Sequence, residues 1–294
     1  MEILVIVLNG ALLIILTTSY SLRISTFHVY VVNVTLANFL HAILVDPFSI
    51  ITDIHGGVWI FSYAVCSFYQ FSLWILSAAM QNAHALITLN RLWAIIFPIH
   101  YRQTHRRTTA VLLCIGMWIC ILIILLPGMI PDATYYRLLM DRDVCRVNSA
   151  GQVDWSITSH FLAYGLAEFI IVIAYPFIVY AHCRRKKTTG TSAPTTRALP
   201  SATAAGQLPS QNKTRSSKRL HILTLLTVSV FICWTPGSVV YSILPFRNID
   251  IPLFADLLFA FQAALDPVLF MVTLPELRQS ARRLCCRGSV HPGA

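Results

Sequence analysis

The 294-residue chain reads as an all-α protein, a seven-transmembrane helix bundle with a short amphipathic helix after the seventh span. Three observations lead there. The composition is 56% hydrophobic and 12% charged, with mean hydropathy +0.66, whereas an ordinary soluble chain is roughly 25% charged. Apolar stretches recur near 3–22, 29–51, 64–97, 110–131, 159–183, 220–244 and 251–274, each approaching the roughly 20 residues a bilayer core requires. The basic residues are segregated between alternate connecting segments. These figures also exclude disorder, and eight Cys are too sparse for a disulfide scaffold.

Orientation follows from the basic residues. Segments 23–28, 98–109, 184–219 and 275–294 hold 17 of the 22 Lys and Arg, while the opposite loops hold Arg137, Arg142, Arg146 and Arg247. Lys and Arg accumulate on the cytoplasmic side. The N-terminus is therefore expected outside and the C-terminus inside, in a multi-pass protein of the plasma membrane. The net charge of +10 is a membrane-orientation signal and gives no reason to expect nucleic acid. The outer loops carry Asp53, Asp132, Asp141, Asp143, Asp154 and Asp250, read as solvated surface charge that biases the outer face toward cations.

Residues 1–274 are expected to form the seven-helix bundle, and 275–294 the amphipathic helix and short cytoplasmic tail. Within the bundle, 184–219 is basic at both ends and rich in Thr, Ser, Ala and Pro, as in TTGTSAPTTRALPSATAAG, a composition for a flexible third cytoplasmic loop. The first span begins almost at Met1, and no Asn-x-Ser/Thr site lies outside, since Asn33 is within a span and Asn212 is cytoplasmic. A truncated gene model or a start site chosen too late is expected. The apolar run lacks a small-residue cleavage motif, which argues against a signal peptide.

The motifs come in a fixed order. Asn9 lies in LNGALLI, Asn38 ends LAN, and Pro47 follows. Cys66 stands seven residues after Trp59 in WIFSYAVC, and Asn90-Arg91-Leu92 precedes Pro98 in NRLWAIIFP. Trp118 and Pro127 mark the fourth span, Cys233-Trp234-Thr235-Pro236 the sixth, and Asp266-Pro267-Val268-Leu269-Phe270 the seventh. In this order and spacing the chain resembles the rhodopsin-like (class A) G-protein-coupled receptors over nearly its whole length. In the fifth span, FIIVIAY aligns best with Tyr175 as the family's inner tyrosine and Ala167 at its proline position; Pro176 as that proline is the other register.

The resemblance assigns roles. Arg91, with Asn90 and Tyr175, is expected at the G-protein-coupling end. Asn9, Asn38, Trp118, Trp234, Pro236, Asp266, Pro267 and Phe270 are expected to form the helix-packing and activation network. Cys66 and Cys145 are expected to form a disulfide over the outer mouth. Several departures matter. Asn90 replaces the acid that normally restrains the arginine, and helix six offers Ser216, Lys218 and Arg219 in place of a glutamate, which implies weak restraint of Arg91; the alternative is that hydrogen bonds to Asn90 and Tyr175 restrain it equally well. Asn38 and Asp266 look exchanged relative to the family, leaving one carboxylate and one amide. Met80 fills the hydroxyl position of the family's sodium site, and a thioether is a poor ligand for a hard cation, so sodium modulation is expected to be weak or absent. Phe270 replaces a tyrosine, and His84 stands at a normally apolar position, read as a packing histidine. Arg278, Arg282 and Arg283 share helical spacing with Leu277 and Leu284, giving a basic membrane-surface helix. Cys285 and Cys286 are palmitoylation candidates beside it.

Helical phase turns Asp46, Trp74, Ser77, Ser159, His160, Trp234, Tyr241 and Asp256 toward the outer cavity as the ligand-binding set. Leu73 stands where amine receptors carry an aspartate, which disfavours a monoamine, and Ala260 stands where opsins carry their lysine. Asp46 and Asp256 point to a ligand with a basic group, foremost a basic peptide, with a lipid or odorant-like molecule as the other class. No Ser/His/Asp set, metal-spaced His cluster or phosphate loop is evident, so neither an enzyme nor a cofactor or metal is expected. The expected partners are an extracellular ligand, a heterotrimeric G protein and membrane lipid. Ligand binding without G-protein signalling is an alternative, and so is a transporter or channel, which the lack of internal repeats disfavours.

Overall fold

The computed structural model describes residues 1–19, 22, 25–139, 144–190, 228–236 and 253–287. The regular structure in them is helical: α1 (Glu2–Thr18), α2 (Thr26–Leu44), α3 (Asp46–Ile54), α4 (Tyr63–Ile96), α5 (Pro98–Thr104), α6 (Arg107–Thr134), α7 (Val153–His160), α8 (Leu166–Gly190), α9 (228–236), α10 (Leu253–Thr273) and α11 (Pro275–Arg287). Helix is present in every one of the seven apolar segments. Four units are long and apolar enough to cross a membrane: Thr26–Ile54, Tyr63–Ile96, Arg107–Leu138 and Ser149–Ile178. α1 is a shorter apolar helix, and α10 and α11 form a pair bent by 95°. Ile14, Ile119, Ile123, Phe169 and Phe177 point outward from the bundle, the reverse of a soluble domain.

Local chemistry sets the helix boundaries. Ser62 caps α4 by accepting the Val65 N–H. Pro98 disfavours helical backbone at Phe97 before it, so α4 ends at Ile96 and α5 begins anew. Pro47 at the start of α3 breaks the second span at Val45. Beyond α3 the chain reverses through Gly56 and Gly57, at φ 70° and 86°, a conformation that side chains disfavour.

α4 is the central rod. It packs on α2, α6 and α8, while α1 packs on α2 and α10. One apolar cluster includes Ala42, Ala79, Leu125, Ala167, Trp234 and Ala263, at the Cys66 end and middle of the bundle. A second, toward Arg91, includes Leu12, Val34, Ile87, Ala110 and Phe270. The buried side chains of Asn38, His84, Gln262 and Asp266 lie between them.

Two interruptions of the helical ladder are repaired from neighbouring helices. Pro267 has no N–H to offer the Ala263 carbonyl four residues back. Asn9 Nδ2 donates to that carbonyl at 2.9 Å and thereby ties α1 to α10. Between α7 and α8, Phe161–Gly165 forms a π-turn, a geometry that loosens the regular hydrogen bonds. Asn82 Nδ2 of α4 donates to Ala163 O at 2.6 Å within it. α8 continues through Pro176.

The Trp155 indole lies directly on Gly128 of α6; a Cβ there would fall 1.9 Å from Trp155 Cδ2. Gly128→Ala therefore has to expel the indole. It is expected to destabilise the protein by about 1–3 kcal/mol, read as a lower Tm of the purified chain; an unchanged Tm would contradict this packing.

Candidate functional site

The polar layer centres on Asp266, a carboxylate 1% exposed. Asn38 Nδ2 of α2 donates to Asp266 Oδ2 at 2.9 Å, and His84 Nε2 of α4 lies 3.0 Å from the same oxygen. Gln262 Nε2, one turn earlier on α10, donates to Oδ1 at 2.7 Å. A buried carboxylate is tolerated only with such partners. The Asn38–Asp266 contact expected from the exchanged acid and amide is present. His84 does more than pack, because its Nε2 directly meets the carboxylate. Met80 brings only sulfur to this layer, a poor ligand for a hard cation. Asn38 Oδ1, His84 Nδ1 and Gln262 Oε1 have no partner among the described residues. The layer thus keeps unspent hydrogen-bonding capacity, which is costly when closed off.

At one end of the bundle Cys66 and Cys145 form the expected disulfide. Gln70 Nε2 donates to Cys145 O at 2.9 Å and fixes the loop beside it. Asp132 is corrected by the structure: it is not solvated surface charge but fully buried. Arg137 donates Nε–H to Asp132 Oδ2 at 2.8 Å, with a second contact from Nη2. The Asn148 N–H donates to Asp132 Oδ1 at 2.8 Å, and Arg137 Nη1 reaches Ser67 Oγ at 3.3 Å. A buried pair so completely hydrogen-bonded locks the loop onto the start of α4.

Below this loop lies an aromatic wall. Trp74 stacks on Trp155 at 5.8 Å between ring centroids, and His160 stacks on Tyr164 at 5.1 Å. Tyr164 Oη donates to Trp74 O at 2.7 Å, which brings the expected Trp74 and His160 to one wall. Ser159 is buried, with its hydroxyl turned onto Ser156 O. Trp234 packs on Phe259 at 4.7 Å. Ser77 Oγ lies 3.3 Å from His41 Nε2, and His41 Nδ1 lies 3.0 Å from Asp46 Oδ1. A Ser–His–Asp line, absent from the sequence spacing, is thus assembled across α2, α3 and α4. Tyr241 lies outside the described residues, as does the side chain of Asp256 on α10.

At the other end the Arg91 guanidinium lies 5.3 Å over the Phe27 ring. No carboxylate among the described residues pairs with it. The Tyr101 phenol on α5 is raised above its ordinary value by burial, against the opposing pull of the neighbouring Asn90 and Arg91. Tyr101 stacks on His105 at 4.3 Å, and His105 Nε2 lies 3.0 Å from Tyr30 Oη. Burial holds the His105 imidazole below its ordinary value. The side chains of Tyr175, Cys285 and Cys286 lie outside the described residues. Trp118 Nε1 donates to Asn33 Oδ1 at 2.9 Å and joins α6 to α2. On α11, Leu277 is buried, while Arg278, Arg282, Arg283 and Leu284 are exposed.

Sequence reasoning missed Trp155, Gln262 and the His84–Asp266 pair. Gln262 and Asp266 sit four residues apart, on one helical face, so their contact was available from spacing. The position of His84 against Asp266 depends on how α4 packs against α10.

Residues 8–270 match the family of 7 transmembrane receptors (rhodopsin family). The chain belongs to that family. Among its relatives, the fMet-Leu-Phe receptor of Oryctolagus cuniculus is 25% identical over 79% of this chain and 62% of its own length. The C5a anaphylatoxin chemotactic receptor 1 of Oncorhynchus mykiss is 22% identical over 77% and 60%. The alpha-2B adrenergic receptor of Echinops telfairi is 29% identical over 62% and 46%. The chain thus spans roughly half to two thirds of these relatives. They are receptors, not enzymes, and the Ser77–His41–Asp46 line joins helices within a receptor bundle.

Asn38→Asp places a second carboxylate against Asp266, where two like charges cannot both ionise. It is expected to lower the yield and Tm of folded protein, and a second change, Asp266→Asn, to restore them. A double variant no better than Asn38→Asp alone would show that the two side chains act separately.

Proposed function

We propose that this chain is a plasma-membrane receptor that binds an extracellular ligand at the Cys66 end and signals to a heterotrimeric G protein at the Arg91 end. The observation that carries the reading is Arg91: a guanidinium at the end of the central helix, held by an aromatic ring and without a carboxylate among the described residues. An arginine so placed is free to meet a cytosolic partner. The concentration of Lys and Arg in the connections on that side supports its cytoplasmic orientation. The exposed arginines of α11 suit the anionic inner leaflet.

For the ligand, the aromatic wall of Trp74, Trp155 and Tyr164 offers apolar contact, and Asp46, 3.0 Å from His41 Nδ1, offers a carboxylate. That combination supports a ligand with an apolar or aromatic body and a basic group, foremost a basic peptide. Relatives named for fMet-Leu-Phe and for the C5a anaphylatoxin agree with a peptide. Leu73 at the amine-anchoring position distinguishes the chain from relatives named for dopamine and adrenergic ligands.

Weak restraint of Arg91 leads to raised basal signalling. Cells expressing the full chain are expected to show second-messenger activity above empty vector without added ligand, and Arg91→Ala to return it to the vector level at equal surface expression. Wild-type activity equal to vector would contradict the weak restraint. Failure of every messenger readout, with ligand binding intact, would favour a receptor that does not signal.

A further inference from the structure

From α7 into α8 the backbone stays helical throughout, but Phe161–Gly165 closes as a π-turn. A π-turn takes in one residue more than an α-turn. Each residue of an α-helix advances about 100° around the axis, so the turn displaces everything before it by about that angle. The side chains record the displacement. Seven residues make about two turns of α-helix, so a straight helix counted back from the buried Ala167 would bring His160 and then Val153 onto the Ala167 face. Instead Ser159 is buried and Val153 is 42% exposed. Trp155, one turn before Ser159, packs on Trp74 and on Gly128.

Nothing covalent in the segment breaks the regular helix, since neither Phe161–Gly165 nor the turn after it contains a proline. The support comes from α4. Asn82 Nδ2 donates to Ala163 O at 2.6 Å, inside the π-turn, and to Ala78 O of its own helix at 2.8 Å. A carboxamide nitrogen has two N–H donors, and both are used here. Among apolar side chains and lipid, no water takes the place of such a donor.

We propose that Asn82 is a positioning residue for the outer half of the helix that runs from α7 through α8. Its bond to Ala163 O holds the π-turn, and the turn in its place sends Ser159 and Trp155, in place of Val153, toward the bundle. Asn82 on α4 therefore builds the aromatic wall on which Trp74 and Trp155 meet. What this means for the choice of ligand rests on the cavity reading given above; the helical phase itself does not.

The test reads the phase. The purified full chain in lipid nanodiscs carries a nitroxide label at Val153→Cys or at Thr158→Cys, both exposed positions, and collisions of the label with oxygen are measured by EPR with and without Asn82→Leu. The labelled parent chain supplies the background. Straightening rotates the segment by about 100°, which carries position 153 inward and leaves position 158 outside. A severalfold lower collision rate at 153, with little change at 158, is expected. Simple loosening of the bundle raises the rate at both positions. That result, or an unchanged rate at 153, overturns the proposal and leaves Trp155 on Gly128 to fix the phase alone. Should Asn82→Leu not fold, Asn82→Ala also lacks the donor and carries the same expectation and the same contrary results. A basic peptide that fails to bind while the collision pattern is as expected counts against the cavity reading and not against Asn82.

Discussion

The bundle is organised around one buried negative charge. Asp266 sits on α10 where both apolar clusters end, and its two oxygens are faced by side chains of α2, α4 and α10 itself. In a low-dielectric interior a carboxylate left without those partners is far more costly than any apolar contact nearby is favourable. The relative positions of α2, α4 and α10 are therefore constrained by this charge. The neighbouring Pro267 adds a second constraint, because the carbonyl it orphans is claimed by Asn9. α1 is thus fixed to the same stretch of α10 by the same local break in the helix.

Charge is distributed unevenly along the molecule. The centre holds a carboxylate faced by two amide N–H donors and an imidazole nitrogen, and the loop over Cys66 holds a fully hydrogen-bonded Asp132–Arg137 pair. The opposite end has Arg91 over a phenyl ring and Asn90 against a tyrosine. The strong polar constraints hold the middle and one end of the bundle, while the arginine at the other end is held by weaker forces. Cation–π attraction contributes about 0.5–2 kcal/mol, less than the removal of one partner from a buried ion pair costs, about 3–5 kcal/mol.

Much of this was legible in the chain. Seven apolar segments, the segregation of Lys and Arg and the order of the Asn, Trp, Pro and Cys markers led to the helical bundle, the disulfide and the Asn38–Asp266 contact. The amphipathic spacing of Leu277 with the arginines placed α11. What was not legible depended on tertiary packing. Asp132 reads as a loop acid because nothing local shows that Arg137 folds back onto it. His84 reads as a core residue until α4 is set against α10. Ser77, His41 and Asp46 are scattered in sequence and meet only when the second span is packed beside α4. Trp155 belongs to a segment whose position is set by Gly128, and a bare glycine in an apolar helix does not announce what rests on it.

The most direct test of the account is a double-mutant cycle between His84 and Asp266, with His84→Asn, Asp266→Asn and the pair melted in lipid nanodiscs at one pH. If the carboxylate and imidazole hold α4 to α10 as a unit, the two changes will be non-additive by about 1–3 kcal/mol. Effects that add to within about 0.5 kcal/mol would show that the two side chains are neighbours without being partners, and the central constraint would have to lie elsewhere.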